Sequence, residues 1–230
     1  MVPLLLVCAC GRVAFDPLQG PPALDDSGIE GMSADDGPMT SDDAPTGACT
    51  APGDTGSTFP GGLPCSNWQA TPTMINAGIS ESSGQLSITP NANTTGAQAY
   101  CTKNNVPFGP GGAIVEVSVV LNGSAITAIQ LGLGPTALSM VVQNGMLIAQ
   151  DASGDKGMVA YSTTTTRFWR IRPNTGSGVI FEYGDGMTWT KLGVSAQTPQ
   201  ATYNTLLLAG EIGAIANPGT ARFESVNLCP

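Results

Sequence analysis

Residues 167–191, RFWRIRPNTGSGVIFEYGDGMTWTK, place the strongest limits on how this chain folds. Trp169 and Ile171 alternate with arginines, which is the period-two pattern of a strand with two different faces. A Gly/Asn/Ser break separates this strand from a second one at 179–183. Asp185-Gly186 is a strong hairpin signal, because a tight hairpin turn needs residues that tolerate positive φ. The stretch therefore predicts three successive antiparallel strands.

Strands and turns also alternate through the rest of residues 49–230, where no segment has a sustained helical period. Further strands are predicted at 85–89, 97–102, 113–121, 125–133, 137–143, 146–150, 158–162, 203–211 and 220–228. About twelve strands at such short spacing predict an all-β fold, a two-sheet antiparallel sandwich. We predict a loop at 151–157. Residues with side-chain oxygen atoms occur at alternate positions of this loop, as in calcium-binding loops. The loop lacks the glycine at position six and the distal glutamate of an EF-hand, so an ordinary loop without calcium fits better.

The acidic charge of the chain is concentrated near its beginning. Residues 1–60 carry nine acidic residues and one basic residue, whereas residues 61–230 carry eight acidic and seven basic residues. The net charge of −9 thus belongs mainly to the first 60 residues. Because the rest is nearly neutral, no basic surface is expected for phosphate backbones, and we predict no nucleic-acid binding.

The six cysteines and the absence of histidine favour disulfides over a metal site. A zinc site would need four cysteines converging from distant positions without a C-x-x-C pair, so we expect no metal and no cofactor. The four cysteines after residue 48 allow three pairing schemes, and we favour the scheme Cys65–Cys101 with Cys49–Cys229. Disulfides of this kind indicate an exported protein.

The first 48 residues divide into two segments. Residues 1–11, MVPLLLVCACG, are too short to span a bilayer, which needs about 20 apolar residues. They resemble the end of a bacterial lipoprotein signal, in which small residues precede a lipid-modified cysteine. That resemblance implies lipidation of Cys10, and an ordinary cleaved signal is the alternative. Residues 12–48 repeat Asp-Asp three times among Pro, Gly and Ser, which predicts a disordered acidic linker.

The remaining segment, residues 49–230, resembles a known superfamily. The strand 167–172, the glycine turn, the aromatic strand and the hairpin Gly184-Asp185-Gly186-Met187-Thr188-Trp189 resemble the concanavalin A-like lectin/glucanase jelly roll. Residues 221–226, ARFESV, are similar to the closing strand of that superfamily. The resemblance covers roughly residues 65–229 and implies a jelly-roll sandwich. It does not imply one function, since the fold hosts lectins, hydrolases and adhesion modules.

Catalytic patterns are missing from the sequence. The hydrolases of the superfamily carry Glu-x-Asp-x-x-Glu on one strand, and no such string occurs here. Glycoside hydrolysis needs two facing carboxylates, and nucleophilic catalysis of the usual kind needs a histidine. We therefore predict that the protein is not an enzyme. An unusual glycan hydrolase that uses Glu182 or Glu116 is the alternative.

A binding face is the more plausible function of the stretch 167–191. The candidate ligand-binding residues, which combine aromatic rings with planar polar groups, are Trp189, Arg170, Arg172, Tyr183 and Asp185. The structural alternative places Trp169 in the core and pairs the two arginines with Glu182 or another acid across the sheet.

These observations together predict a non-catalytic cell-envelope lipoprotein. Its sandwich would present a binding module for carbohydrate or another surface component, or serve only as a structural envelope protein. The membrane would be contacted through the lipid anchor alone, at the outer membrane or the cell surface, unless the protein is simply secreted.

Overall fold

The computed structural model describes residues 59–66, 68–210 and 213–229. Apart from one 3-10 turn, Gly134–Thr136, its regular structure is entirely β. The strands are β1 (Thr71–Ile75), β2 (Ala77–Ser82), β3 (Gln85–Pro90), β4 (Gln98–Pro107), β5 (Gly112–Val119), β6 (Ile126–Leu131), β7 (Leu138–Gln143), β8 (Met146–Asp151), β9 (Gly154–Ala160), β10 (Phe168–Pro173), β11 (Val179–Gly184), β12 (Trp189–Ser195), β13 (Thr202–Gly210) and β14 (Ala221–Cys229). No helix in the described part of the chain is long and apolar enough to cross a membrane.

The strands form two antiparallel sheets of seven strands each, which confirms the predicted two-sheet sandwich. Sheet I has the order β1-β4-β13-β6-β7-β8-β9, and sheet II has the order β12-β11-β10-β5-β14-β3-β2. Strands β10, β11 and β12 follow one another both in sequence and in space, so the predicted three-strand stretch lies at one edge of sheet II.

The core lies between the two sheets and is built from alternate residues of each strand. Trp169, Ile171 and Phe181 from sheet II are fully buried there, opposite sheet I residues such as Met140 and Leu207. The indole Nε1 of Trp169 donates to the carbonyl oxygen of Thr166 at 2.8 Å, so its one polar atom is satisfied. The prediction that Trp169 belongs to the core is confirmed.

A disulfide joins Cys65 to Cys101 and closes a separation of 36 residues, as predicted. Both cysteines are fully buried, and the backbone N–H of Cys65 donates to Glu81 at 2.5 Å. The link therefore attaches the segment before β1 to strand β4, the second strand of sheet I. The predicted pair Cys49–Cys229, the lipidation of Cys10 and the linker at 12–48 lie outside the residues and side chains that the structure describes.

The two edge strands β9 and β12 approach each other closely on one side of the sandwich. A Cβ atom added at Gly157 in β9 would overlap the carbonyl oxygen of Leu192 in β12, and a Cβ at Gly193 would meet the backbone of Lys156. Both positions need glycine because the two backbones touch there. On the opposite side the chain itself passes from sheet I to sheet II through Asn76, which has a φ of 48°.

Two predictions about individual strands are wrong. The predicted loop at 151–157 is a tight turn, because β9 begins at Gly154 and pairs back onto β8. The carboxylate of Asp151 accepts the Ser153 N–H at 2.7 Å, which allows the chain to reverse at once. Strands β1 and β2 were not predicted. They are largely exposed edge strands, with Pro72 in one and Gly78 in the other, so they lack an alternating apolar pattern.

Candidate functional site

The outer face of sheet II carries a compact group of charged side chains, here called the arginine cluster: Arg170, Arg172, Glu182 and Lys191. Strand register places Glu182 between Arg170 on β10 and Lys191 on β12. The Arg170 Nε donates to Glu182 Oε2 at 2.5 Å. The Arg172 Nε and Nη2 donate to the two oxygens of the same carboxylate, each at 3.0 Å. The predicted pairing of both arginines with Glu182 is therefore confirmed.

Three members of the cluster are only slightly exposed although they lie on an outer face, whereas Lys191 is exposed. Relative side-chain exposure is 6% for Glu182, 13% for Arg170 and 11% for Arg172. Burial lowers the pKa of Arg170, and the neighbouring carboxylate of Glu182 acts in the opposite direction. An arginine stays charged at neutral pH in spite of such burial. Arg170, Arg172 and Glu182 thus form a charged, hydrogen-bonded group held away from most of the solvent.

Trp189 covers the end of this cluster. The guanidinium carbon of Arg170 lies 4.1 Å from the centroid of the indole ring, which is a cation–π contact. Trp189 can reach Arg170 because it pairs with Gly184, and its side chain points to the outer face with Glu182 and Arg170. Three of the five candidate residues, Trp189, Arg170 and Arg172, are therefore brought together.

The other two candidates, Tyr183 and Asp185, line a separate cleft on the opposite side of the β11–β12 hairpin. This threonine cleft has a volume of about 360 Å³ and lies between that hairpin, strand β9 and the loop before β10. Its lining combines five threonines with small apolar residues, one tyrosine and one carboxylate: Val159, Ala160, Thr164, Thr165, Thr166, Tyr183, Gly184, Asp185, Thr188 and Thr190.

Asp185 is held rigidly at the mouth of this cleft by the hairpin turn. Its Oδ1 accepts the backbone N–H groups of Met187 at 2.9 Å and Thr188 at 2.8 Å, and the Thr188 hydroxyl at 3.1 Å. These bonds hold the pKa of Asp185 below its usual value, and the bond from the Thr188 N–H has the largest effect. Among the described residues, no residue other than Asp185 itself donates to its Oδ2. The carboxylate is therefore charged at neutral pH, and one of its oxygens is available as an acceptor.

The sequence prediction missed the threonines of the cleft. Three of them belong to the run Thr163–Thr166, which is visible in the sequence as TTTT. That run lies in the loop between β9 and β10, and it meets the β11–β12 hairpin only in the folded protein. Trp189 lies between Thr188 and Thr190, so the cleft and the arginine cluster share strand β12 and use its two faces.

The carboxylates of the alternative hydrolase site are both engaged with arginines. Glu116 on β5 forms an ion pair with Arg167 at 2.5 Å and accepts the Ser225 hydroxyl at 3.3 Å. Strand β10 separates Glu116 from Glu182, and the two residues are offset by two positions along it, so their backbones lie roughly 12 Å apart. The described residues contain no group of three or more His, Cys, Asp or Glu side chains that could hold a metal ion.

No protein-family model matches the chain, and no curated protein matches it in sequence. Solved structures do match in fold. The Crh5 transglycosylase in complex with NAG is 12% identical, with a TM-score of 0.52 over 74% of this chain and 81% of that one. The calcium-bound exoplasmic/lumenal domain of VIP36 is 11% identical, with a TM-score of 0.49 over 74% and 86%. A legume lectin-like domain from Entamoeba histolytica is 10% identical, with a TM-score of 0.45 over 68% and 88%.

At 12% identity and a TM-score above 0.5, the match to the Crh5 transglycosylase establishes a shared fold and nothing further. The two seven-stranded sheets and their order agree with the fold that the 167–191 and 221–226 motifs predicted. The chain therefore has the concanavalin A-like jelly-roll fold.

Proposed function

We propose that this protein is a non-catalytic carbohydrate-binding module and that the threonine cleft holds the sugar. The observation that carries this proposal is the cleft itself, about 360 Å³ in volume, with hydroxyl groups and one fixed carboxylate in its lining. Small-molecule sites combine a concave surface with a few precisely placed polar groups, and this volume lies near their lower limit. It suits one or two sugar rings rather than a large cofactor.

The lining groups match the hydrogen-bonding chemistry of a sugar. Sugar hydroxyls both donate and accept, and so do the hydroxyls of threonine and tyrosine. The Oδ2 of Asp185 adds a charged acceptor, for which hydrogen bonds are about twice as strong as those between neutral groups. In the described part of the chain, no residue hydrogen-bonds the Tyr183 hydroxyl, so this group is also available to a ligand.

The same lining argues against hydrolysis in the cleft. Glycoside hydrolysis needs a carboxylic acid and a second carboxylate on opposite sides of the scissile bond. Among the cleft-lining residues, only Asp185 carries a carboxyl group. Its lowered pKa keeps it ionised at neutral pH, which makes it a poor proton donor.

Binding in the cleft is tested by replacing Asp185 with asparagine. Asparagine also accepts the turn hydrogen bonds, so the hairpin is expected to remain folded. A charged acceptor makes a stronger hydrogen bond than a neutral one, so Asp185→Asn should weaken binding by roughly tenfold to a hundredfold. A glycan array with the full chain identifies the oligosaccharide, and calorimetric titration then measures Kd for the native protein and the variant.

Asp155→Asn is the matched control, because it removes the same charge from an exposed residue on β9 that does not line the cleft. It should leave Kd unchanged. Equal Kd values for native protein and Asp185→Asn, or turnover of the bound glycan, would contradict the proposal. If the array shows no bound glycan at all, the proposed function is wrong.

We further propose that the module is attached to the cell envelope through a lipid on Cys10, with residues 12–48 as an acidic spacer. The apolar run and small residues that end at Cys10 support this attachment. Intact-mass measurement of the membrane-extracted protein should show loss of residues 1–9 and gain of a lipid group. A Cys10→Ser variant should appear in the medium or the soluble fraction. A native protein that retains residues 1–9 and carries no lipid would rule the anchor out.

A further inference from the structure

Two arginines of the arginine cluster share one carboxylate. Arg170 and Arg172 both bind Glu182, which leaves one positive charge in surplus between them. We propose that this surplus binds the acidic group of a glycan, a carboxylate or a sulfate, on the outer face of sheet II. The inference rests on the proposed function and extends it, because it names the class of sugar that the module takes.

Arg170 is the residue that is ready to accept the anion. Its Nε donates to Glu182 and its guanidinium carbon lies 4.1 Å from the centroid of the Trp189 ring, so the position of the guanidinium is set by two contacts before a ligand arrives. Among the described residues, none accepts a hydrogen bond from its Nη1 or Nη2. Arg172 differs, since its Nε and Nη2 bind Glu182 and its Nη1 donates to the carbonyl oxygen of Pro173 at 3.4 Å. The two terminal nitrogens of Arg170 thus form a fixed, unused fork of the kind that binds carboxylate or sulfate in a bidentate manner.

Other carboxylates on this face are already engaged. Glu116 is paired with Arg167 at 2.5 Å, and Glu224 accepts a hydrogen bond from the side chain of Gln85 at 2.8 Å. The surplus positive charge of Arg170 and Arg172 is therefore not paired with either of these carboxylates. It is also local, because residues 61–230 as a whole carry eight acidic and seven basic residues. A charged group in a poorly solvated place gains more from an opposite charge than one in open water.

Trp189 connects the anion site to the threonine cleft. Its side chain stacks on Arg170, while its neighbours Thr188 and Thr190 line the cleft on the other face of β12. One oligosaccharide that passes around this edge of the sandwich would place a sugar ring in the cleft and an acidic substituent at Arg170. Acidic polysaccharides built from uronic acids or sulfated sugars have this chemistry.

The experiment compares three probes on the full chain. The first is a galacturonic acid oligosaccharide, the second is its carboxyl-reduced neutral counterpart, and the third is a sulfated galactose oligosaccharide of the same length. We expect an acidic probe to bind at least tenfold more tightly than the neutral one at 50 mM salt, and the difference should shrink at 200 mM salt. The tighter of the two acidic probes identifies the source of the anion.

Arg170→Gln should abolish the preference for the acidic probe and leave neutral-probe binding unchanged. The variant is expected to fold, because Glu182 keeps its bidentate partner Arg172. Arg170→Lys is the second variant. It retains a charge but loses the fork, so it should keep only part of the preference. Arg222→Gln, which removes an exposed charge from β14 on the same sheet face, is the matched control and should change nothing.

The outcomes separate this inference from the proposed function. Equal binding of neutral and acidic probes by the native protein overturns the inference and leaves the carbohydrate module standing. A preference that survives in Arg170→Gln also overturns it. Failure of all three probes, together with a blank glycan array, overturns both.

Discussion

Replacing Glu182 with glutamine should lower the free energy of unfolding by about 3–5 kcal/mol, because breaking a buried ion pair leaves its partners uncompensated. Glu182 is 5% exposed and holds two arginines, Arg170 and Arg172, which are themselves poorly solvated. Glutamine keeps the size of the side chain but removes its charge. Urea unfolding followed by tryptophan fluorescence measures the difference.

Two further variants show whether charge is the cause of the Glu182 effect. Glu224→Gln removes an acid from the same sheet face, where the side chain of Gln85 donates a hydrogen bond to it. This change should lower the free energy of unfolding by less than about 1 kcal/mol. Adding Arg170→Gln to Glu182→Gln removes one of the two arginines that have lost their carboxylate partner, and it should restore part of the lost stability. A Glu182→Gln protein as stable as the native one would show that the cluster contributes little. Loss of any glycan-directed activity in Glu182→Gln must be compared with its folded fraction before Glu182 is assigned a role in catalysis.

Removal of the Cys65–Cys101 disulfide is the second change with a large expected effect. The bond closes a separation of 36 residues, for which the chain-entropy relation gives about 3–4 kcal/mol. A Cys65→Ala/Cys101→Ala protein should therefore unfold at a clearly lower urea concentration. Native protein and variant, both unfolded in the presence of a reductant, should agree to within about 1 kcal/mol, since the reductant removes every disulfide from both. An unchanged unfolding midpoint for the variant would contradict this account.

The fold could be predicted because its most informative strands alternate clearly. In β10, Trp169 and Ile171 point to the core while Arg170 and Arg172 point outward, and this pattern alone identifies both faces of the strand. The Asp185-Gly186 turn likewise identified the β11–β12 hairpin. Local propensity and burial agree at these positions, so sequence reasoning succeeded there.

The sites could be predicted only in part, because they depend on long-range neighbours. Whether Arg170 stacks on Trp189 depends on the register of β11 and β12, which shifts between Phe181 and Glu182. The threonine cleft depends on the loop before β10 meeting a hairpin some 20 residues later in the chain. No periodicity within one strand contains that information. The same limit applies to β1 and β2, whose exposed edge positions leave no apolar pattern.

The glycine contact between β9 and β12 has a consequence for how copies of this protein behave beside one another. An exposed sheet edge is a template for pairing with a strand of another molecule. Here one pair of edges is occupied by mutual backbone contact at Gly157 and Gly193, and on the other side Gly62 bridges to Glu81 of β2. Strand addition is therefore hindered on the β9–β12 side of the sandwich, whereas β1 and most of β2 remain exposed edges. If copies of this protein pair edge to edge, the β1–β2 side is where their sheets can join.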